Sequence, residues 1–299
     1  MKILLLGSTG QVGIELMAQL ANSTHKVLPV SRKECDLSKP DSVKGILSQF
    51  NVDLVINAAA YTAVDMAEEE NHLAYQINGF SVGAIASYCQ SQNIPLIHFS
   101  TDYVFDGTKA EGYVEDDLTS PINTYGNSKL LGEQLIQATL GKYLIFRISW
   151  VFSKNSQNFV RTILRLAATR EEIKIVADQW GCPTAAKDIA RVIVTIIDKL
   201  SCDTFQDWGI YHYASFDPTN WYEFANSFLK LAKNKGHHFL LSRLIPIDTG
   251  GYPTKAKRPQ NSVLITDKIE RVFNISRGFW ADYLPEVIEE FANQEAKET

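Results

Sequence analysis

The chain has 299 residues, of which 45% are hydrophobic and 21% are charged, and its formal net charge is −5 at pH 7. This balance is typical of a folded globular protein and excludes extensive disorder. The chain has no long basic run, which argues against nucleic acid as a partner. Cys35, Cys89, Cys182 and Cys202 have no paired spacing, so neither a disulfide framework nor a zinc site is expected.

The N-terminus leads directly into an apolar run, Lys2–Leu6, that reads as a buried strand. This run is too short for a signal peptide and lacks a cleavage region. No run of about 18 apolar residues follows, so no membrane-spanning helix and no membrane partner are expected. These features predict a cytoplasmic protein.

A glycine-rich segment directly follows the first predicted strand. Gly7, Gly10 and Gly13 have the spacing G-x-x-G-x-x-G and open a predicted helix that continues to Leu20. The first glycine permits a tight turn, the second lets backbone N–H groups approach a pyrophosphate, and the third allows close packing of helix against strand. The order strand, loop, helix therefore predicts dinucleotide binding at the positive end of the helix dipole.

A second predicted strand, residues 25–31, ends where dinucleotide-binding proteins distinguish NAD from NADP. An acidic side chain at this tip would bind the ribose 2′-hydroxyl of NAD. Here Arg32 and Lys33 follow the strand, and Glu34 comes after them. Two cations suit a 2′-phosphate, so NADPH is favoured, and NADH stays open.

Three more apolar segments alternate with predicted helices. The predicted strands are residues 53–60, residues 95–99 and Tyr143–Ile148, and one long helix is predicted over residues 64–92. Five strands that alternate with helices predict an α/β fold with a Rossmann-type doubly wound parallel sheet. Such sheets bind ligands at the carboxyl ends of their strands.

The pattern loosens after Trp150 and predicts a smaller C-terminal α/β lobe that binds the substrate. We expect residues 1–150 to form the dinucleotide-binding core, residues 155–200 to complete it, and residues 201–299 to form mainly the substrate lobe. The further predicted elements are a helix over residues 158–169 and a strand over 173–176 that continue the core, a helix over 187–200, and a strand over 209–214 in the lobe.

The segment between Ser100 and Lys129 carries the residues most suited to chemistry. Thr101 ends the fourth predicted strand, and Tyr125 and Lys129 stand one turn apart on a predicted helix. A nearby ammonium favours the phenolate and lowers the tyrosine pKa from about 10 toward the working pH, which would make Tyr125 a general acid. A tyrosine and a lysine at this spacing are also compatible with a solvated helix face.

These motifs, in this order, resemble those of the extended short-chain dehydrogenase/reductases. Within that superfamily the chain is similar to the dTDP-4-dehydrorhamnose reductase family over nearly its whole length. The resemblance implies an NAD(P)H-dependent oxidoreductase that reduces the 4-keto group of dTDP-4-dehydro-L-rhamnose to dTDP-L-rhamnose. The matching segments include the glycine loop, Asn57-Ala58-Ala59-Ala60, residues 100–105, Tyr125-x-x-x-Lys129, residues 147–150, residues 178–184 and residues 258–262.

The resemblance also implies roles for individual residues. Tyr125 would donate a proton to the carbonyl oxygen, Thr101 would bond the same oxygen, and Lys129 would hold the nicotinamide ribose. Thr101, Asp102 and Trp150 match substrate-contacting positions, and Arg258 would meet the diphosphate of a dTDP-sugar. The expected cofactor contacts, from the glycine loop, the strand tip and the resemblance together, are Gly7, Gly10, Gln11, Val12, Gly13, Arg32, Asp36, Leu37, Ala60, Tyr61, Thr62, Tyr125 and Lys129.

Cations of the lobe form a separate group: Arg243, Lys255, Lys257 and Arg258. They could meet a phosphate-bearing substrate, and a solvated surface explains them equally well.

One departure concerns a metal. Some members of the family are similar in holding magnesium at a dimer contact through three glutamates. Glu15 matches one of these positions and Glu290 could match another, but Lys187 stands at the third. Because an ammonium cannot ligate magnesium, no metal site is predicted, and a homodimer stays open.

Two alternative functions stay open. The regulatory subunit of methionine adenosyltransferase is similar in fold and shares the Tyr-Val-Phe-Asp-Gly and Tyr-x-x-x-Lys stretches, so a non-catalytic NADP-binding subunit is one alternative. Trp150 and the run from Asn57 to Asp65 favour a reductase instead. The other alternative is a reductase or epimerase of a different nucleotide sugar, which would share the core and differ in the pocket.

Overall fold

The computed structural model describes residues 1–200 and 205–298, so Cys202 lies outside the described residues. Its central feature is a six-stranded parallel sheet. The strands in chain order are β1 (Lys2–Leu6), β2 (Lys26–Val30), β3 (Leu54–Asn57), β4 (Leu96–Thr101), β5 (Tyr143–Ile148), β6 (Val151–Phe152), β7 (Glu172–Val176), β8 (Trp180–Gly181), β9 (Thr184–Ala185), β10 (Gly209–Tyr213), β11 (Thr219–Asn220) and β12 (Arg243–Ile247).

Eleven α-helices connect and cover the described strands. They are α1 (Gln11–Leu20), α2 (Pro40–Leu47), α3 (Val64–Ala67), α4 (Asn71–Tyr75), α5 (Ser81–Gln92), α6 (Thr124–Thr139), α7 (Phe159–Thr169), α8 (Ala186–Leu200), α9 (Trp221–Asn234), α10 (Asp267–Phe273) and α11 (Trp280–Glu298). Short 3₁₀ turns cover Asp102–Val104 and Thr249–Gly251. None of these described helices combines the length and the apolar character that a bilayer span requires.

The order of the strands creates a crevice at one edge of the sheet. Along the sheet the order is β2, β1, β3, β4, β5, β10, and every neighbouring pair is parallel. The winding of the chain therefore reverses between β1 and β3. In doubly wound sheets, ligands bind outside the carboxyl ends of the strands at such a switch point.

The continuous apolar strands are explained by helices on both faces of the sheet. In β1, Ile3 and Leu5 face a cluster formed with α1 and α8, and Leu4 and Leu6 face a cluster formed with α2, α5 and α6. All four side chains are almost completely buried. The prediction of a Rossmann-type doubly wound parallel sheet is thus confirmed.

The prediction of one continuous helix over residues 64–92 is wrong. The chain forms α3, then a turn, then α4, a π-helical turn over Gln76–Phe80, and α5. Within the π turn, Asn78 Oδ1 accepts a hydrogen bond from the backbone N–H of Tyr61 at 2.8 Å, and Asn78 Nδ2 donates to the Tyr61 carbonyl at 3.0 Å. Because these are long-range contacts, no local pattern predicts the irregular turn.

A second apolar cluster lies outside the central sheet and is built from α7, α9 and α11. Beside it, β7 pairs in parallel with β12, whereas the sequence predicted that this strand continues the core. Conversely, β10 was expected in the lobe but pairs with β5 at the edge of the central sheet. The chain therefore passes between the central sheet and the second apolar cluster several times. The lobe boundaries near residues 150 and 200 stay a prediction.

Candidate active site

A cavity of about 920 Å³ opens at the carboxyl ends of β1, β3, β4 and β5. This volume lies in the usual range for ligand sites. The predicted site residues that line it are Gly7, Gly10, Gln11, Val12, Arg32, Asp36, Leu37, Ala60, Tyr61, Thr62, Thr101, Asp102, Tyr125, Lys129 and Trp150. Gly13 does not line the cavity and lies against the glycine turn instead.

The glycine loop requires glycine at two of its three positions. Gly7 has a φ of +76°, and a Cβ there would lie 2.5 Å from the backbone nitrogen of Ala59. A Cβ at Gly13 would lie 2.1 Å from the Gly7 carbonyl oxygen. Side chains at these positions would open the turn and move α1 away from the sheet. The N-terminus of α1, capped at Gly10, thus stays at the cavity wall, where it can bind a phosphate.

The tip of β2 presents a cation to the cavity. Arg32 lines the cavity with a side chain that is 76% exposed, and its Nε lies 3.6 Å from Asp36 Oδ1. Glu34 turns back, and its Oε2 accepts a 2.7 Å hydrogen bond from the backbone N–H of Ser31, which holds the pKa of Glu34 below its usual value. The acidic residue is therefore engaged by its own turn, and the guanidinium fits a 2′-phosphate.

The wall after β3 is held by a residue that the sequence did not single out. Besides its two bonds to the Tyr61 backbone, Asn78 donates to Ser128 Oγ on α6 at 3.0 Å. Ala60 and Thr62 flank Tyr61 and line the cavity. Asn78 thereby connects the predicted cofactor wall to the helix that carries Tyr125.

Tyr125 and Lys129 lie one turn apart near the start of α6, as predicted. The helix is capped by Asn123, whose Oδ1 accepts a 2.7 Å hydrogen bond from the backbone N–H of Gly126. Lys129 is only 1% exposed, and its Nζ donates to the Phe99 carbonyl at 2.6 Å. The prediction of a solvated helix face is therefore wrong for Lys129. Burial of its ammonium costs free energy, and no carboxylate among the described residues forms an ion pair with it to offset that cost.

The pKa of Tyr125 differs from the sequence-based expectation. Burial raises this pKa to about 12, with the charge of Asp102 acting in the same direction and a hydrogen bond with Thr101 in the opposite direction. The expected lowering by Lys129 is absent, and that side chain points to the Phe99 carbonyl. The phenol consequently stays protonated at neutral pH, which is the state a proton donor needs.

Thr101 and Asp102 form a buried pair at the end of β4. Thr101 Oγ1 accepts from the backbone N–H of Tyr103 at 3.1 Å and donates to Asp102 Oδ1 at 3.0 Å. Burial raises the pKa of Asp102 to about 7. The Ser262 hydroxyl lies near this carboxylate and acts against that rise, although Oδ2 has no partner at full hydrogen-bond geometry within the described residues. Ser100 Oγ also has no hydrogen-bond partner there. Both residues line the cavity, but these two oxygen atoms are themselves buried.

Trp150 is held in an uncommon backbone conformation at the cavity. Its φ is +45°, which is rare for a bulky residue. Its indole packs against Gly181, where a Cβ would lie 2.5 Å from the ring, and stacks on Trp221 with centroids 3.5 Å apart. Trp221, at the start of α9, also lines the cavity. The sequence did not single out Trp221, because it reaches the site from a distant segment.

The cations considered for a phosphate-bearing substrate do not line the cavity: Arg243, Lys255, Lys257 and Arg258. Arg258 forms two hydrogen bonds with Asp65, of which the shorter joins Nη2 to Oδ2 at 2.7 Å. Lys255 pairs with Glu69, and Arg243 pairs with Glu172. The expected contact between Arg258 and a substrate diphosphate is thus not supported by its position in the structure.

The residues considered for magnesium have protein partners. Lys187 Nζ donates to Glu286 Oε2 at 2.7 Å, and Glu15 Oε1 accepts from Asn155 Nδ2 at 2.8 Å. Glu290 Oε1 accepts from a glutamine one turn later on α11. Across residues 1–200 and 205–298 there is no group of three or more His, Cys, Asp or Glu side chains arranged to hold a metal ion. The absence of a metal stays a prediction.

Comparison with known proteins identifies the family of the chain. The family model of the RmlD substrate binding domain matches residues 1–293. The chain is 43% identical to a dTDP-4-dehydrorhamnose reductase of Burkholderia thailandensis over 286 residues, which are 94% of this chain and 95% of the relative. It is 40% identical to the Escherichia coli K12 dTDP-4-dehydrorhamnose reductase over 283 residues, which are 94% of each chain.

A solved structure is similar over the same length. The crystal structure of dTDP-4-dehydrorhamnose reductase from Bacillus anthracis in complex with NADP has a TM-score of 0.87 and 32% sequence identity, and the match covers 97% of this chain and 99% of that chain. The similarity thus includes both the central sheet and the second apolar cluster. The chain belongs to the RmlD substrate binding domain family.

Proposed function

We propose that this protein is an NADPH-dependent dTDP-4-dehydrorhamnose reductase that converts dTDP-4-dehydro-L-rhamnose to dTDP-L-rhamnose. One observation carries the proposal: a single cavity joins the glycine loop at one end to Thr101, Tyr125 and Lys129 at the other. The relatives from B. thailandensis and E. coli bear this name, and the B. anthracis relative is a complex with NADP.

The cofactor would lie along the wall from the glycine loop to α6. The start of α1 would hold its diphosphate, Arg32 its 2′-phosphate, and Lys129 the ribose next to the nicotinamide. NADPH supplies the hydride for the carbonyl carbon when it is bound. The remaining tasks of the protein are to align that carbon and to stabilise the charge that develops on its oxygen.

Tyr125 is the proposed proton donor to the carbonyl oxygen. Since burial keeps the phenol protonated, it can donate a hydrogen bond to the ketone and then a proton to the alkoxide. Thr101 would hold the same oxygen through its hydroxyl. Asp102 and Trp150, which both line the cavity, would contact the sugar.

The second lobe is the proposed site of the remaining substrate contacts. Trp221 at the start of α9 meets Trp150 across the cavity and brings this lobe to the sugar end. A cytoplasmic location and a homodimer are further parts of the proposal.

The function is tested by following NADPH oxidation with the dTDP-linked and the UDP-linked 4-keto-6-deoxy sugar side by side. We expect turnover with the dTDP-linked sugar and a loss of about 10²–10⁴-fold in Tyr125→Phe, which removes only the acid. NADPH binding, measured by fluorescence, should remain. The matched control is Tyr143→Phe, which removes a hydroxyl at the opposite end of β5.

Three outcomes would contradict the proposal in different ways. Equal turnover in Tyr125→Phe would exclude Tyr125 as the acid. Turnover with the UDP-linked sugar alone would indicate a different nucleotide-sugar reductase. NADPH binding without turnover of either sugar would support a non-catalytic binding subunit.

A further inference from the structure

A chain of buried polar side chains lies directly beneath Lys129. Asn57 at the end of β3, His98 in the middle of β4 and Lys129 on α6 are each at most 1% exposed. Asn57 Nδ2 lies 3.1 Å from His98 Nδ1, and His98 Nε2 lies 3.4 Å from Lys129 Nζ. The three side chains therefore form one path from the sheet to the cavity.

The orientation of Asn57 determines which nitrogen of His98 carries the proton. The backbone N–H of Ala59 donates to Asn57 Oδ1 at 3.1 Å, so the amide nitrogen must face His98. An amide nitrogen only donates hydrogen bonds, and His98 Nδ1 is consequently the acceptor. Burial lowers the pKa of His98 well below its usual value, which keeps the ring neutral. Its single proton must then be on Nε2.

This tautomer affects the two charge states of Lys129 differently. The Nε2–H of His98 points at Lys129 Nζ. An ammonium has three N–H donors and no acceptor, so donor would face donor in the charged state. A neutral amine has a lone pair that can accept from Nε2–H and still donates to the Phe99 carbonyl. The neutral state thus satisfies both contacts, and the charged state satisfies one.

We propose that His98 is a positioning residue that favours the neutral amine of Lys129, through a tautomer that the Asn57 side chain imposes. Lys129 would then exchange a proton within the working pH range and would not be a permanent cation. The significance for turnover depends on the proposed reductase function, whereas the protonation of Lys129 does not.

The other charges around Lys129 are consistent with this role. In the described structure, the titratable groups that interact with Lys129 are His98 on β4 and Glu133 on α6. Tyr125 lies one turn earlier on the same helix. The charge of Glu133 raises the pKa of Lys129, but Arg147 on β5 pairs with that carboxylate. Burial is the larger effect and lowers the pKa of Lys129 to about 8.

The tautomer can be observed directly in the ligand-free protein. In ¹⁵N-histidine NMR spectra, we expect His98 to be protonated at Nε2, with its signals assigned by their loss in His98→Asn. In Asn57→Asp a carboxylate replaces the amide donor, so His98 should switch to the Nδ1-protonated form. Protonation at Nδ1 in the unsubstituted protein would overturn the proposal.

The effect on Lys129 is measured by titration with ¹³C-labelled lysine. His98→Asn keeps an acceptor for Asn57 and removes the N–H that faces Lys129, so the pKa of Lys129 should rise, with at least a threefold increase in proton affinity. His212→Asn is the matched control, because His212 is also completely buried but lies beside Arg147. An unchanged Lys129 titration in His98→Asn would contradict the proposal.

Activity adds a readout that a purely structural role would not move. If turnover requires the charged Lys129, the alkaline limb of kcat/KM should shift to higher pH in His98→Asn. A lower rate with an unchanged pH profile would assign His98 to packing alone. Because both NMR measurements need no substrate, they also stand if the sugar is a different one.

Discussion

Helix α6 carries two charged side chains that are both almost completely buried, one turn apart, and their surroundings differ. Glu133 accepts hydrogen bonds from Arg147 Nε at 3.0 Å and Arg147 Nη2 at 2.7 Å. Lys129 has no carboxylate ion pair among the described residues and donates to the Phe99 carbonyl. The first residue lies between α6 and the sheet, and the second lines the cavity.

The difference shows that α6 carries two kinds of buried charge: Glu133 stabilises the fold through an ion pair, and Lys129 is suited to chemistry at the cavity. A buried carboxylate with a two-point guanidinium partner has a fixed charge and a fixed geometry. A buried ammonium without such a partner has a lowered pKa and can change its charge near neutral pH. A buried ammonium lowers the stability of the folded state, and proteins commonly tolerate such a loss of stability where function requires it.

The paired end of α6 should be the most sensitive to substitution. Arg147→Met leaves Glu133 buried without its partner, and we expect a loss of about 3–5 kcal/mol in the free energy of unfolding. Urea denaturation measures this loss. The control is Lys235→Met, which breaks an ion pair at the surface and should change the stability very little. Similar losses in the two variants would contradict the comparison.

The position of α6 itself is tested by a glycine between the two charges. A Cβ at Gly132 would lie 2.3 Å from the Asn78 carbonyl oxygen in the π turn. Gly132→Ala should therefore cost about 1–3 kcal/mol, although alanine favours helices. Gly45→Ala in α2 meets no atom within 4 Å and should stabilise the protein by about 0.5–1 kcal/mol. An increase in stability in Gly132→Ala would contradict this expectation and would mean that α6 can shift away from the π turn at little cost.

The unpaired end should respond in the opposite direction and by less. In Lys129→Met the lowered pKa no longer costs about 3 kcal/mol at pH 7, and the lost hydrogen bond to Phe99 costs about 1–3 kcal/mol. We expect a net gain of about 1 kcal/mol in thermal or urea unfolding, together with the loss of reductase activity. A clear loss of stability at pH 7 would show that the ammonium is well compensated.

The stability difference between Lys129→Met and the unsubstituted protein should depend on pH, and its direction follows from the pKa of Lys129. The pKa of Lys129 is about 8 in the folded state, against 10.5 for a lysine side chain in water, so between these values the unfolded chain binds the extra proton. The stability contribution of Lys129 therefore rises with pH across this window. Lys129→Met should lack that rise, so its advantage should disappear at alkaline pH.

Much of the core could be predicted from the sequence because its signals are local. The runs at residues 3–6 and 144–146 are continuous and apolar, as expected of strands covered on both faces. The glycine spacing predicts the turn after β1, because a Cβ at Gly7 or Gly13 would clash with backbone atoms. The spacing of Tyr125 and Lys129 places both on one side of a helix.

The features that could not be predicted depend on distant partners. The Asn78 side chain in the π turn bonds to the distant Tyr61 backbone. A histidine inside an apolar strand, such as His98, has no local pattern that reveals a role. The pKa of Tyr125 was expected to fall but is raised, because the phenol is buried and Lys129 donates to the Phe99 carbonyl instead. Whether β10 joins the sheet or the lobe depends on packing alone.

The late arrival of β10 has a consequence for synthesis of the chain. β10 ends at Tyr213, about 65 residues after the last residue of its neighbour β5. At a translation rate of about 5–20 residues per second, the outer edge of β5 would wait roughly 3–13 s for its partner. An unpaired strand edge is a template for pairing with another chain. We therefore expect this edge of the nascent sheet to be open to pairing with another chain from the time β5 leaves the ribosome until β10 has followed it.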